Sequence, residues 1–197
     1  MRELETPHGQ ARVQLHDAEG ARALLVLGHG AGGGVGAPDL VAATEAALEV
    51  GVSVALVEQP YRVAGRRSPA PAPQLDATWT SVVEQLRGGE PLFCGGRSAG
   101  ARVACRTAAA TGAAGVLCLA FPLHPPGRPE KTRLSELEAV EVPVLIVQGE
   151  SDPFGMPPEG PGRELVRLKG NHSLRSDREG LRAAVRGWLE RALSHAS

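Results

Sequence analysis

The chain has 197 residues and a formal net charge of −1, and it is built from small residues: 29 Ala and 25 Gly stand against three Phe, two Trp and one Tyr. That length suits one domain, expected to span residues 1–197, and a balanced charge excludes the broad cationic surface that nucleic-acid binding needs. MRELETPHG lacks the apolar core of a signal peptide, the longest uncharged stretch is broken by glycine and proline, and three cysteines lack C-x-x-C spacing, so a cytoplasmic protein with buried free thiols is expected.

In chain order, ARVQLH (11–16) reads as an antiparallel edge strand, and ALLVLG (23–28) as the first buried parallel strand. Pro38-Asp39 opens a helix that Gly51 ends. VSVALV (52–57) is the next strand, followed by an irregular Arg- and Pro-rich segment at 59–73 and a helix carrying Leu75, Trp79, Val82, Val83 and Leu86 on one face. PLFCG (91–95) runs into a helix over about 98–111, then come GVLCLA (115–120), an irregular segment at 122–129, PVLIVQG (143–149) and ELVRL (164–168). Ser176-x-x-Glu179 reads as a capping box for a last helix with Leu181, Val185, Trp188, Leu189 and Leu193 as its apolar stripe. Alternating strands and helices predict an α/β fold, a three-layer sandwich with a mostly parallel sheet of six to seven strands and helices on both faces. In such sheets ligands gather at the carboxyl ends of the strands, so the residues after each apolar run carry the information.

After the 23–28 strand, Gly28-His29-Gly30-Ala31-Gly32-Gly33 satisfies G-x-G-x-x-G, the pattern of a dinucleotide loop whose glycines bring a pyrophosphate to a helix N-terminus. Glu58 at the next strand end stands near the expected acid position, but the helix opens only at Pro38, beyond the motif. The rival reading is an oxyanion loop, in which small residues let a backbone N–H approach a reacting carbonyl; a plain connector is the third.

The 91–95 strand leads directly into Gly96-Arg97-Ser98-Ala99-Gly100 and a helix. G-x-S-x-G is easily produced by a glycine-rich chain, but between strand and helix it is where a nucleophile elbow exposes a serine hydroxyl on a sharp turn. Serine needs a base to take its proton, and the base needs an acid to orient it, in the chain order Ser, acid, His. Asp152 follows the 143–149 strand and His172 follows the 164–168 strand, with Glu150 as the rival acid. His8 and His16 precede the core, His29 belongs to the first loop, and His124 precedes the candidate acids at strand ends.

With GHGAGGG at 28–34, EQPYR at 58–62, GGRSAGARVAC at 95–105, QGESDPFG at 148–155 and KGNHSL at 169–174, the chain resembles the α/β-hydrolase superfamily over nearly its whole length. Within it the resemblance is to small, lidless, dienelactone-hydrolase-like proteins, from which this chain departs in having Ser98 where dienelactone hydrolases have cysteine. The resemblance implies Ser98 as nucleophile, Asp152 as acid, His172 as base, and an oxyanion hole from the N–H groups of Ala31 and Ala99. It implies a serine hydrolase acting on a small ester, thioester or related acyl substrate, with no metal or organic cofactor and no cap domain. A non-catalytic binding or scaffolding module on the same fold is the alternative. Arg62, Arg97, Phe121 and His124 follow strand ends and are candidate substrate contacts; Arg97 faces either an anionic substrate group or a salt bridge under the helix. Few aromatics and only 59–73 and 122–138 as possible covers predict an open, shallow site.

Overall fold

A computed structural model describes residues 1–195; the last two residues of the expected 1–197 domain lie outside the described residues. In chain order the elements are β1 (Arg2–Thr6), β2 (Gly9–His16), β3 (Ala23–Gly28), α1 (Pro38–Glu49), β4 (Val52–Glu58), α2 (Pro60–Val63), α3 (Ala72–Leu86), β5 (Leu92–Arg97), α4 (Ala99–Thr111), β6 (Gly115–Leu119), α5 (Leu134–Glu138), β7 (Val144–Gly149), β8 (Arg163–Leu168) and α6 (Arg178–His195). They form one sheet of order β1-β2-β4-β3-β5-β6-β7-β8, in which β3 to β8 run parallel, β2 pairs antiparallel with β4 and β1 pairs antiparallel with β2.

Eight strands replace the expected six to seven. The additional one, β1, pairs only with β2 and buries only Leu4 fully, so its sequence RELET carries too little apolar alternation to announce a strand. It also takes the edge position expected of 11–16, leaving β2 between β1 and β4.

Side chains alternate across the sheet because successive Cβ atoms point to opposite faces. In β3, Leu24 and Val26 join the core under α3 and α4, while Leu25 and Leu27 join the core under α1 and α6. Every residue of β3, β6 and β7 is buried, as expected of strands covered on both faces. Trp79 of α3 and Trp188 of α6 anchor opposite faces, Trp188 meeting Phe93 edge to face at 5.6 Å between ring centroids.

Two local expectations change. The cap of α6 is Asp177 rather than Ser176: its Oδ1 accepts the Gly180 N–H at 2.8 Å and its carbonyl accepts the Leu181 N–H at 3.1 Å. The possible covers 59–73 and 122–138 contain the one-turn helices α2 and α5; α5 is tied to α4 by Glu136, which accepts from Arg102 at 2.7 and 2.9 Å. No helix among the described residues is long and apolar enough to cross a membrane.

Candidate active site

Register sets the site. Gly28 and Gly96 are partners at the carboxyl ends of β3 and β5, so the loop after β3 begins beside the turn after β5. In that turn Ser98 has φ 52°, a left-handed conformation that is costly for a residue with a Cβ. Its N–H donates to the Leu119 carbonyl at 2.9 Å, which pins the turn to β6. Gly96 and Gly100 permit the crowding, since a Cβ at either would overlap the Gly28 carbonyl. Gly28 and the elbow are therefore in backbone contact.

Gly149 and Leu168 are likewise partners at the ends of β7 and β8, and the loops that follow meet. His172 Nδ1 lies 2.8 Å from Asp152 Oδ2, and His172 Nε2 lies 3.0 Å from Ser98 Oγ. A carboxylate only accepts, so Nδ1 carries the proton and Nε2 is left to accept from the serine hydroxyl. The Asp152 side chain is fully shielded from solvent while that of His172 remains 18% exposed. The rival acid, Glu150, is solvent-exposed, whereas Asp152 is the carboxylate that meets the imidazole.

Asp152 is held by more than His172. Its Oδ1 accepts the Phe154 N–H at 2.8 Å, and its Oδ2 also accepts Gln148 Nε2 at 2.9 Å. The Phe154 ring lies against the His172 imidazole at 4.2 Å between centroids with 30° between planes. Across the site, His29 is buried, with Nδ1 2.8 Å from the Gly30 carbonyl and Nε2 3.1 Å from the Gln59 nitrogen. Since the Gln59 N–H donates, Nε2 accepts and Nδ1 bears the hydrogen; burial holds the imidazolium pKa below its ordinary value. Tyr61 Oη donates to the Ala31 carbonyl at 2.9 Å, and burial pushes its phenol pKa up, which keeps it a donor.

A family model described as an alpha/beta hydrolase domain matches residues 21–179. The chain belongs to that family. Hydrolase is the activity class that this membership supports. No curated protein matches the chain. Among solved structures it is similar to a lidless α/β serine hydrolase from Xanthomonas campestris, with a TM-score of 0.80 at 22% identity over 96% of this chain and 93% of that one. Est1E from Butyrivibrio proteoclasticus gives a TM-score of 0.78 at 15% identity, covering 98% of each chain. A dienelactone hydrolase from Anabaena variabilis gives 0.72 at 17% identity, covering 98% of this chain and 95% of that one. At these identities the similarity is one of fold.

In this α/β hydrolase the remaining candidates separate. Ala99 is the first residue of α4, where the N–H has no acceptor within the helix, and Ala31 lies in the facing loop, where Gly30 sits close enough that a Cβ would be 3.6 Å from the Ser98 Cβ. His124 is brought to the acid loop: its N–H donates to the Phe154 carbonyl at 3.0 Å, and its ring covers Gly155. Arg62 lies on α2 beside Tyr61, half-buried, and Nη1 reaches the Arg66 carbonyl at 3.4 Å. Phe121 is corrected: its side chain is fully buried in the core under α3 and α4, and only its carbonyl serves the site, accepting Gln148 Nε2 at 3.0 Å. Arg97 takes the salt-bridge alternative, with Nε 2.8 Å from Asp39 Oδ2 and Nη2 donating to the His172 carbonyl at 3.0 Å.

Tyr61, Gln148 and Phe154 stand inside EQPYR and QGESDPFG and Asp39 at a helix start, but the sequence assigned none of them a place in the site. Gln148 offered a signal, as the polar residue that closes the apolar run PVLIVQG. Asp39 was legible only as part of a helix start.

Proposed function

We propose that the chain is a serine hydrolase that cleaves an ester, thioester or related acyl bond of a small substrate through an acyl-enzyme. The observation that carries this reading is the relay in which His172 joins Asp152 at 2.8 Å on one nitrogen and Ser98 at 3.0 Å on the other. Ser98 Oγ attacks the substrate carbonyl carbon as its proton passes to His172 Nε2, and the carbonyl π pair becomes an oxyanion held by the N–H groups of Ala31 and Ala99. Asp152 stabilises the imidazolium. Collapse of the tetrahedral species expels the alcohol or thiol, which takes the proton from His172, and water then repeats the sequence to release the acid and restore Ser98.

Short α2 and α5 are the local cover beyond the sheet, and the Phe154 ring borders the imidazole with the half-exposed His124 over neighbouring Gly155, which supports a small or exposed acyl group over a long lipid chain. We assign the chain a single catalytic domain and a reducing, cytoplasmic setting, the latter on the buried free thiols Cys94, Cys105 and Cys118.

A fluorophosphonate probe tests the reading. Wild type is expected to be labelled on Ser98 and Ser98→Ala to be unlabelled; folded wild type that resists the probe and turns over none of a panel of short-chain p-nitrophenyl esters and thioesters overturns it.

A further inference from the structure

Arg97 occupies the variable position of G-x-S-x-G, and its guanidinium bridges the loops around the nucleophile. Nε faces Asp39 Oδ2 at 2.8 Å and Nη2 donates to the His172 carbonyl at 3.0 Å. Nη1 lies against Gly30, where a Cβ would come within 2.9 Å of it. One planar group thus touches the first loop, the start of α1 and the histidine loop.

Asp39 is the fixed end of this bridge. Its side chain has no solvent exposure, against 20% for Arg97, and Oδ1 accepts the Leu40 N–H at 2.9 Å. Burial pushes its carboxyl pKa up and the Arg97 charge pulls it back, so the ionised form depends on its partner. The Oδ2 contact is a Coulombic pairing: that oxygen receives no well-angled hydrogen bond among the described residues.

The histidine loop is held at Gly170, whose carbonyl accepts the Ser151 N–H at 2.9 Å and Oγ at 2.8 Å, and at the His172 backbone by Arg97. It passes through left-handed backbone at Gly170 (φ 113°) and Leu174 (φ 50°), and Asp152 holds only the imidazole end of His172. We infer that Asp39 and Arg97 are positioning residues that fix the backbone of His172, so that its ring meets Ser98 and Asp152 together. The inference rests on the serine-hydrolase reading above. Arginine suits the task because its fork reaches two acceptors on different elements in a fixed plane, which a single lysine nitrogen cannot do. Nε and Nη2 are turned to protein oxygens, which assigns that edge of Arg97 to the loops and not to substrate.

The test is kinetic, on neutral p-nitrophenyl acetate and on the anionic p-nitrophenyl half-ester of succinate, with wild type, R97K and D39N, each checked for cooperative thermal unfolding. R97K keeps the charge and loses the fork. It is expected to lower kcat about 10- to 100-fold on both esters, the scale of a misplaced catalytic group, with KM within about twofold. D39N, isosteric and neutral, is expected to lower kcat in the same direction with KM unchanged, and it carries the reading if R97K does not fold. The double variant D39N with R97M, which leaves no buried charge alone, serves if neither single variant folds and is expected to show the same split. Unchanged kcat in a folded variant, or a loss confined to KM for the anionic ester, overturns the inference while leaving the hydrolase reading intact. A wild type that neither labels nor turns over ester overturns both.

Discussion

Gln148 donates to the Asp152 carboxylate at 2.9 Å from a position with no solvent exposure. The same amide nitrogen reaches the Phe121 carbonyl at 3.0 Å and the Gly155 carbonyl at 2.9 Å. Three oxygens around one nitrogen fix the amide's orientation, since the flipped group would set oxygen against oxygen. Gln148→Met keeps the length and removes the donor. Losing a hydrogen bond to a charged group costs about 1.5–3 kcal/mol, so urea unfolding is expected to report a loss in that range. Ester hydrolysis is expected to fall at least about tenfold, because each 1.4 kcal/mol of lost orientation appears as a factor of about ten in rate. Gln148→Glu adds a carboxyl facing three oxygens and is expected to be worse on both measures. Wild-type stability and rate in Gln148→Met would refute this role.

Tyr61 acts on the opposite wall. Its hydroxyl donates to the Ala31 carbonyl, the residue whose N–H is proposed to meet the oxyanion. Tyr61→Phe leaves the ring, which stacks edge-on to His29 at 5.8 Å, and deletes only the tie. Stability is expected to fall by about 1 kcal/mol, as for a typical neutral hydrogen bond, while kcat falls several-fold at constant KM. A KM effect with unchanged kcat would mean that Tyr61 binds substrate instead.

The parallel strands were legible because burial on both faces demands unbroken apolar runs, and ALLVLG and PVLIVQG are such runs. Ser98 and Asp152 were legible as candidates because each follows such a run, while His172 follows the edge strand β8, whose ELVRL is only partly buried, and was legible from its place after the last strand. Supporting residues were not legible for the converse reason. Gln148, Tyr61 and Asp39 each meet a partner that is fixed only by tertiary packing, and nothing at their own positions specifies it. Phe121 misled because it follows a strand, yet Ala120 takes φ 50°, the chain turns, and the ring enters the core. Not every glycine of the first loop answers to crowding. In the run GAGGGVG, a Cβ at Gly32, Gly33, Gly34 or Gly36 would meet open space, so glycine there is not sterically required as it is at Gly96 and Gly100.

That contrast is measurable. Gly100→Ala would drive a Cβ into the Gly28 carbonyl, and backbone on both sides cannot step aside as a side-chain tip can. The variant is expected to lose about 1–3 kcal/mol or more in urea unfolding and to lose activity, because relief requires separating the first loop from the elbow. Gly33→Ala is expected to stay within about 0.5 kcal/mol of wild type. Equal effects of the two substitutions would mean that crowding at the elbow is not what glycine relieves.

His29 gives the fold an acid-side weakness. Both ring nitrogens are engaged as a neutral imidazole, Nδ1–H toward Gly30 and Nε2 from Gln59, and burial lowers the pKa from its ordinary 6.5. Above that pH the imidazole is neutral folded and unfolded, so His29 adds no pH dependence. As pH falls below 6.5 the unfolded chain takes a proton that the folded one refuses, and stability declines by up to about 1.4 kcal/mol per pH unit until the lowered folded pKa is reached. Below that point protonation of the native state forces Nε2 to donate where Gln59 also donates, which disrupts the loop carrying Ala31. His29→Gln has no such proton to take. Urea unfolding of wild type and His29→Gln at pH 7.5 and pH 5.5 is therefore expected to show a larger acid-induced loss for wild type. Parallel losses in the two proteins would assign the acid sensitivity to other groups.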